Sequence, residues 1–252
     1  MKHILEEAII FSNKNSELFK FNSQSYAAYP MGIYASLIEL AQAFHLLISG
    51  NHFTGSLSIY RTFIENYVDL RNLVKDLNYV HQLEYDNYHN NLRIFKAAKK
   101  GNRYLGYLHK TADEKISELT LKKKAKKTSA KIKIVTTILD KFIKAEMEEE
   151  YKGLYPFLCS EAHSSLFAIH TRHFQHDDNT GRLQIKINQP DNQSFYMLYT
   201  CYLAEQLVHS GELIATFLNG QNLEQFTAKR TEIRDNLASA MQEFMSTNFE
   251  PK

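Results

Sequence analysis

An all-α bundle is the fold class that three features of this chain predict. Only nine Gly and four Pro interrupt 252 residues. Long stretches are rich in Leu, Ala, Glu, Lys and Gln, which favour helices joined by short connections. Apolar side chains recur at three- and four-residue spacing through most of the length. A hydrophobic content of 44%, with 31 Phe and Tyr, can fill a substantial core. The expected architecture is a single domain of about eight helices.

Helical periodicity is read at 2–12, 30–49, 55–76, 77–99, 129–150, 152–173, 194–219 and 221–246. The first segment places Glu6 and Glu7 inside what would be the apolar part of an export signal, so no leader is expected. The second holds the most apolar window, Ile33 to Ile48. Glu39, Gln42 and His45 interrupt it and it is too short to span a bilayer, so a buried bundle helix is expected, with no membrane as partner. In the third, Leu57, Tyr60, Phe63, Ile64, Tyr67 and Val74 follow the spacing of a core stripe, and Gly50, Thr54 and Gly55 punctuate its start.

Between Gly101 and Ala130 apolar residues thin out, and Leu121-Lys-Lys-Lys-Ala-Lys-Lys-Thr brings five lysines into the six positions 122–127. This reads as an exposed linker or helix end about 101–130, with Lys123 and Lys124 as candidate phosphate contacts. Glu146, Glu148, Glu149 and Glu150 are expected to close the helix that follows. Residues 177–193 alone have strand character: Leu183, Ile185 and Ile187 alternate after a Gly turn, predicting a short hairpin or extended loop. The long helix from Phe195 carries Tyr199, Tyr202, Leu203, Leu207 and Ile214, with Glu205 and His209 among them, and reads as core plus a homodimer or partner-protein surface.

The formal charge of +2 is too near zero to make nucleic acid or an anionic membrane an obligatory partner, so such a contact must come from a local patch. Cys159 and Cys201 lack metal-type spacing, and their apolar flanks suit reduced thiols in a cytoplasmic protein. No Gly-rich phosphate loop, nucleophile elbow or zinc-protease helix occurs, so no cofactor is implied.

Two distant helical segments set ionisable groups where an apolar stripe would otherwise run: Arg61-Thr-Phe-Ile-Glu65-Asn-Tyr-Val-Asp69 and Tyr155-Pro-Phe-Leu-Cys-Ser160-Glu161-Ala-His163. Arg61, Glu65 and Asp69 share a helix face by their four-residue steps. Tyr155, Cys159 and His163 share another, flanked by Ser160, Glu161 and Ser164. Charges beside a core require partners, so the two segments are expected to meet. A His beside carboxylates can serve as general acid or base, or can be a structural hydrogen-bonding residue.

With these motifs the chain resembles the bacterial all-helical proteins grouped as domain of unknown function 5677, on the Arg-x-x-x-Glu helix at Arg61–Glu65 followed by Val68-Asp-Leu, and the later Tyr155…Ser160-Glu161…His163 helix. The likeness covers residues 30–215 and implies an all-helical fold without assigning an activity. A looser likeness is to the HEPN proteins, helical RNA-cleaving effectors marked by an Arg with four to six residues between it and a His. Here Arg103 and His109 satisfy that spacing, and Arg172 and His176 fall one residue short. His170, His173 and His176, followed by Asp177 and Asp178, have a composition transition metals accept, but three-residue steps drift around a helix, and a polar helix end is expected instead of a metal site.

Two functional expectations follow. One is a stress or phage-defence, toxin-like effector acting on RNA as a metal-independent ribonuclease, with His163 as acid/base, Arg61 stabilising phosphate, Glu65 orienting both, and the lysines steering substrate. The other is a non-catalytic binding or oligomerisation module in which the polar cluster fixes helix register.

Overall fold

The computed structural model describes residues 2–21, 26, 28–129, 133–163, 165–177, 180–187 and 193–249. It is all-α apart from one small hairpin, and the chain divides into two compact units: residues 1–74 with 142–252, and residues 75–141.

In the first unit, α1 (Lys2–Ser16), α2 (Ala28–Ser49), α9 (Gln193–Phe217) and α10 (Leu223–Phe249) pack side by side, and α3 (Phe53–Lys75) joins them through large aromatic side chains. The centre is a set of buried rings. Tyr60 meets Phe44 edge-on at 6.0 Å and Tyr199 at 6.0 Å, while Phe226 stacks on Phe19 at 5.7 Å and takes the edge of Phe11 at 5.0 Å. Each fully buried ring of this kind stabilises the fold by about 1.5–3 kcal/mol relative to exposure. The predicted stripe of α3 is in place, with Leu57, Tyr60, Phe63, Ile64 and Tyr67 all buried. Helix α2 extends beyond its apolar window to 22 residues, long and apolar enough by length and composition to cross a membrane. Its stripe of Tyr34, Leu37, Ile38, Ala41, Phe44 and Ile48 is nevertheless buried, as a core helix requires.

Tight reversals are made where the residues tolerate left-handed backbone. Asn51 has φ 60° between α2 and α3, and Asn219 (φ 63°), Gly220 (φ 84°) and Asn222 (φ 57°) turn the chain from α9 into α10.

The predicted helix 152–173 is two helices, α7 (Glu148–Ala162) and α8 (Leu166–His173). The break has a chemical cause: the Ser165 hydroxyl caps α8 by accepting from the Ala168 amide at 3.1 Å, and it also bonds the Ser160 hydroxyl at 2.7 Å. Glu148, Glu149 and Glu150 open α7 instead of closing the helix before it, placing negative charge at a helix N-terminus. The predicted hairpin forms slightly earlier than expected: β1 (Phe174–His176) pairs antiparallel with β2 (Leu183–Ile185), Phe174 facing Ile185 and His176 facing Leu183.

In the second unit, α4 (Val80–Lys99) and α5 (Ala112–Ser129) pack together, joined by a 3-10 segment, Arg103–Thr111, that is kinked at Leu105. The stretch expected to be an exposed linker or helix end is thus helical over most of its length. Ala112 and Leu119 are buried, and Glu118 bonds both Lys115 (2.7 Å) and Lys122 (2.5 Å), offsetting repulsion among the lysines. The predicted helix 129–150 shrinks to α6 (Ile138–Lys144). Before it, the Gln82 amide takes the place of a neighbouring strand, accepting from the Val135 amide at 2.9 Å and donating to the Val135 carbonyl at 3.0 Å.

The crossing of α9 and α10 leaves no space at Gly211: a Cβ there would lie 2.0 Å from the buried Phe226 ring. Gly211→Ala is expected to lower stability by about 1–3 kcal/mol through overpacking, read as a lower denaturation midpoint. An unchanged midpoint would show that the helices separate freely.

Candidate functional site

The two polar segments meet. On α3, Arg61 Nη2 lies 3.1 Å from Glu65 Oε1 and donates to the Tyr155 hydroxyl at 3.4 Å. Tyr155, on α7, donates in turn to Glu65 Oε1 at 2.6 Å, closing a three-membered ring of contacts. The guanidinium also sits 5.7 Å from the centre of the Tyr155 ring. Arg61 Nη1 is 3.3 Å from His163 Nε2. A guanidinium can only donate, so Nε2 is the acceptor and the ring proton sits on Nδ1.

His163 is not on a helical face as the spacing predicted. The helix ends at Ala162, and His163 is its C-cap in extended backbone (φ −105°, ψ 152°), its amide donating to the Cys159 carbonyl at 3.0 Å. That break swings the imidazole outward. The cluster is graded: Tyr155 is buried, the Arg61 and Glu65 side chains are 28% and 36% exposed, and His163 is exposed.

Electrostatics follow from this gradient. Burial, then donation to Glu65, push the Tyr155 phenol well above its usual value, with Arg61 opposing, so it stays protonated through the neutral range. The hydrogen bond to Tyr155 and the Glu65 charge raise Arg61 further against the cost of desolvation. Arg61 Nε is buried with no hydrogen-bond partner among the described residues, leaving a donor of this guanidinium unspent.

The other expected site residues lie elsewhere. Asp69 is half-buried one turn further along α3. Ser160 is engaged with Ser165. Glu161 is buried 3.6 Å from Arg172, which donates from Nε to the Ala168 carbonyl. Burial raises the Glu161 carboxyl and Arg172 opposes the rise. Lys123 lies 2.8 Å from His89 Nδ1 and over the Tyr85 ring, and Lys124 is exposed, both in the second unit. Ser164 and Asp178 lie outside the described residues.

The HEPN-type spacings are not realised as pairs. Arg103 lies over Tyr104, whereas His109 bonds the Ala98 carbonyl at 3.0 Å. His170, His173 and His176 diverge likewise: His170 meets the Phe174 ring edge-on, His173 contacts the Lys186 carbonyl, and His176 is exposed on β1. Among the described residues no group of three or more His, Cys, Asp or Glu is placed to hold a metal.

A second polar network was not foreseen from the periodicity. The Tyr67 hydroxyl shares a hydrogen bond with His209 Nδ1, with Arg71 5.8 Å from the Tyr67 ring centre. Arg230 bonds Glu205 (2.7 Å) and Glu212 (2.6 Å), and Arg234 bonds Glu205 at 3.0 Å. Its only signal was the four-residue pairing of Tyr67 with Arg71 and of Glu205 with His209 on stripes otherwise read as core.

An all-helical protein with an Arg–Glu–Tyr–His cluster at a helix break is thus the class defined by fold and site. The chain matches the model of a family described as "Family of unknown function (DUF5677)" over residues 27–181, more than half its length, and belongs to that family. The matched segment contains Arg61, Glu65, Tyr155 and His163 and ends before α9. No curated protein and no solved structure matches the chain.

Two outcomes test this description. Tyr155→Phe removes the bond to Glu65 and is expected to cost about 1 kcal/mol in unfolding free energy while keeping the fold; a neutral result would mean water replaces the hydroxyl without loss. The second concerns His209, whose pKa burial, then Arg230, Arg71 and Arg234, push down to about 3 from 6.5. Between these values the unfolded chain binds the extra proton, so the stabilisation is complete above the unfolded value and is lost as pH falls toward the folded one. His209→Gln should flatten the dependence of unfolding free energy on pH across that window, and an equally steep dependence would assign acid sensitivity to other groups.

Proposed function

We propose that the Arg61–Glu65–Tyr155–His163 cluster is a phosphodiester site and that the protein is a metal-independent ribonuclease of the stress or phage-defence effector type. The observation that carries this reading is the state of Arg61: a guanidinium held by Glu65 and Tyr155, with one buried donor unspent and another bonded to an exposed imidazole. Phosphate is a stronger acceptor for such a group than a neutral ring nitrogen.

An RNA phosphate drawing Arg61 toward itself frees His163 Nε2. The imidazole then takes the proton of the 2′-hydroxyl, the 2′-oxygen attacks phosphorus, and the bond to the 5′-oxygen breaks. The imidazolium returns the proton to the leaving 5′-oxygen, while Arg61 offsets the negative charge that builds on the non-bridging phosphoryl oxygens. Glu65, oriented by the protonated Tyr155, keeps the guanidinium in place. Products are a 2′,3′-cyclic phosphate and a 5′-hydroxyl, and DNA, lacking the nucleophile, is spared.

The burial of Tyr155 and its bond to Glu65 also suit a purely structural lock between α3 and α7, and the experiment separates the two readings. Purified protein incubated with RNA in excess chelator is expected to yield cyclic-phosphate ends, with His163→Ala slower by about 10²–10⁴-fold and thermal stability unchanged. RNA left intact by the native protein, or cut equally well by His163→Ala, would favour the structural lock.

A further inference from the structure

The near-neutral total charge conceals a strong partition. Residues 75–141, the second unit, hold 16 Lys and Arg against seven Asp and Glu, a net of +9, and the remaining residues hold 14 against 21, a net of −7. The acids of this unit are largely engaged within it: Asp113 by Lys99, Glu118 by Lys115 and Lys122, Glu84 by Lys126, and Asp86 by Lys141. Lys96, Lys100, Arg103, Lys110, Lys124 and Lys127 are exposed and have no ion pair among the described residues.

Beside these cations two aromatic rings stand in solvent. Tyr104 is 71% exposed and Tyr107 80%, three residues apart in the 3-10 segment between α4 and α5. The Arg103 guanidinium lies 4.5 Å from the centre of the Tyr104 ring. One exposed Tyr is ordinary, but two next to Lys100, Arg103 and Lys110 match what an unpaired strand offers: a regular row of negative phosphates, and flat bases able to stack on rings. A duplex hides its bases and has no use for the rings.

We infer that the α4–α5 unit is a binding surface for single-stranded nucleic acid, with Tyr104 and Tyr107 stacking on bases and Lys100, Arg103 and Lys110 meeting phosphates. An anionic bilayer would attract the same lysines, but interfacial insertion needs a continuous apolar face. Leu121 is the only large apolar side chain that α5 exposes among the described residues, and its lysines occupy successive positions around the helix. The inference goes beyond the catalytic reading and stands without it, since a protein can bind single strands and leave them whole.

The test is fluorescence anisotropy of the full-length protein with labelled oligouridine, oligodeoxythymidine and a duplex of equal length, each of about 20 nucleotides, sufficient to cover the site. Single-strand affinity is expected to fall about a hundredfold between about 50 and about 200 mM salt, the dependence for roughly five phosphate contacts. Replacing both Tyr104 and Tyr107 by Ala should weaken binding about tenfold or more at fixed salt and leave the salt slope intact. Lys100→Glu with Lys110→Glu should make the slope shallower. These side chains are exposed, and circular dichroism is the check that the variants fold. The ratio of RNA to DNA affinity assigns the natural strand, and oligodeoxythymidine, which lacks the 2′-hydroxyl and stays whole, separates binding from cutting. The inference is overturned by preference for the duplex, by tyrosine variants that bind as tightly as the native chain, or by phosphatidylserine vesicles capturing the protein when neither single strand does.

Discussion

The arrangement of α3 and α7 depends on how a guanidinium is accommodated beside a hydrophobic core. Arg61 cannot lose its charge, and leaving it unpartnered next to buried Phe63 and Ile64 would cost several kcal/mol. Glu65 supplies the countercharge one turn away, and Tyr155 reaches from α7 to bond both. That contact explains why α7 carries a buried phenol at this height. It also explains why the chain can break directly afterwards, with Ser165 capping the next helix and His163 exposed at the break. The most solvent-accessible member of the cluster is therefore held by one of its most constrained.

The same logic operates a second time in the first unit. Tyr67 and Arg71 on α3, Glu205, His209 and Glu212 on α9, and Arg230 and Arg234 on α10 form a network in which the α10 guanidinium groups answer the α9 carboxylates and Tyr67 reaches His209 from α3. Its imidazole is held neutral by burial and by three nearby guanidinium groups, the opposite environment to that of exposed His163. Two histidines in one protein are thus set apart by surroundings alone: one is half-buried between helices, the other stands exposed at a helix end.

Charge segregation along the chain separates two kinds of work. The first unit carries an acidic excess, whereas residues 75–141 carry a cationic excess that internal pairs do not consume. A surplus of this sign, kept in solution beside exposed rings, has a cost in self-repulsion that a purely structural hairpin would have no reason to bear.

Composition and periodicity determined the fold class, the core stripe of α3, the hairpin after α8 and the need for contact between the Arg61 and Tyr155 segments, because burial of apolar faces and pairing of charges are demands each local segment already states. The family resemblance rested on those same residues. Only tertiary structure decided what happens between segments: that Ser165 ends one helix and begins another, that Gln82 replaces a helix over Val135 with a pair of hydrogen bonds, that lysine-rich 112–129 folds because Ala112 and Leu119 find a neighbour, and that Glu161 turns to Arg172 instead of joining Tyr155. Each of these depends on a partner distant in sequence. A one-dimensional pattern records which side chains need partners, but the identity of a partner is set by which helices the hydrophobic core brings together.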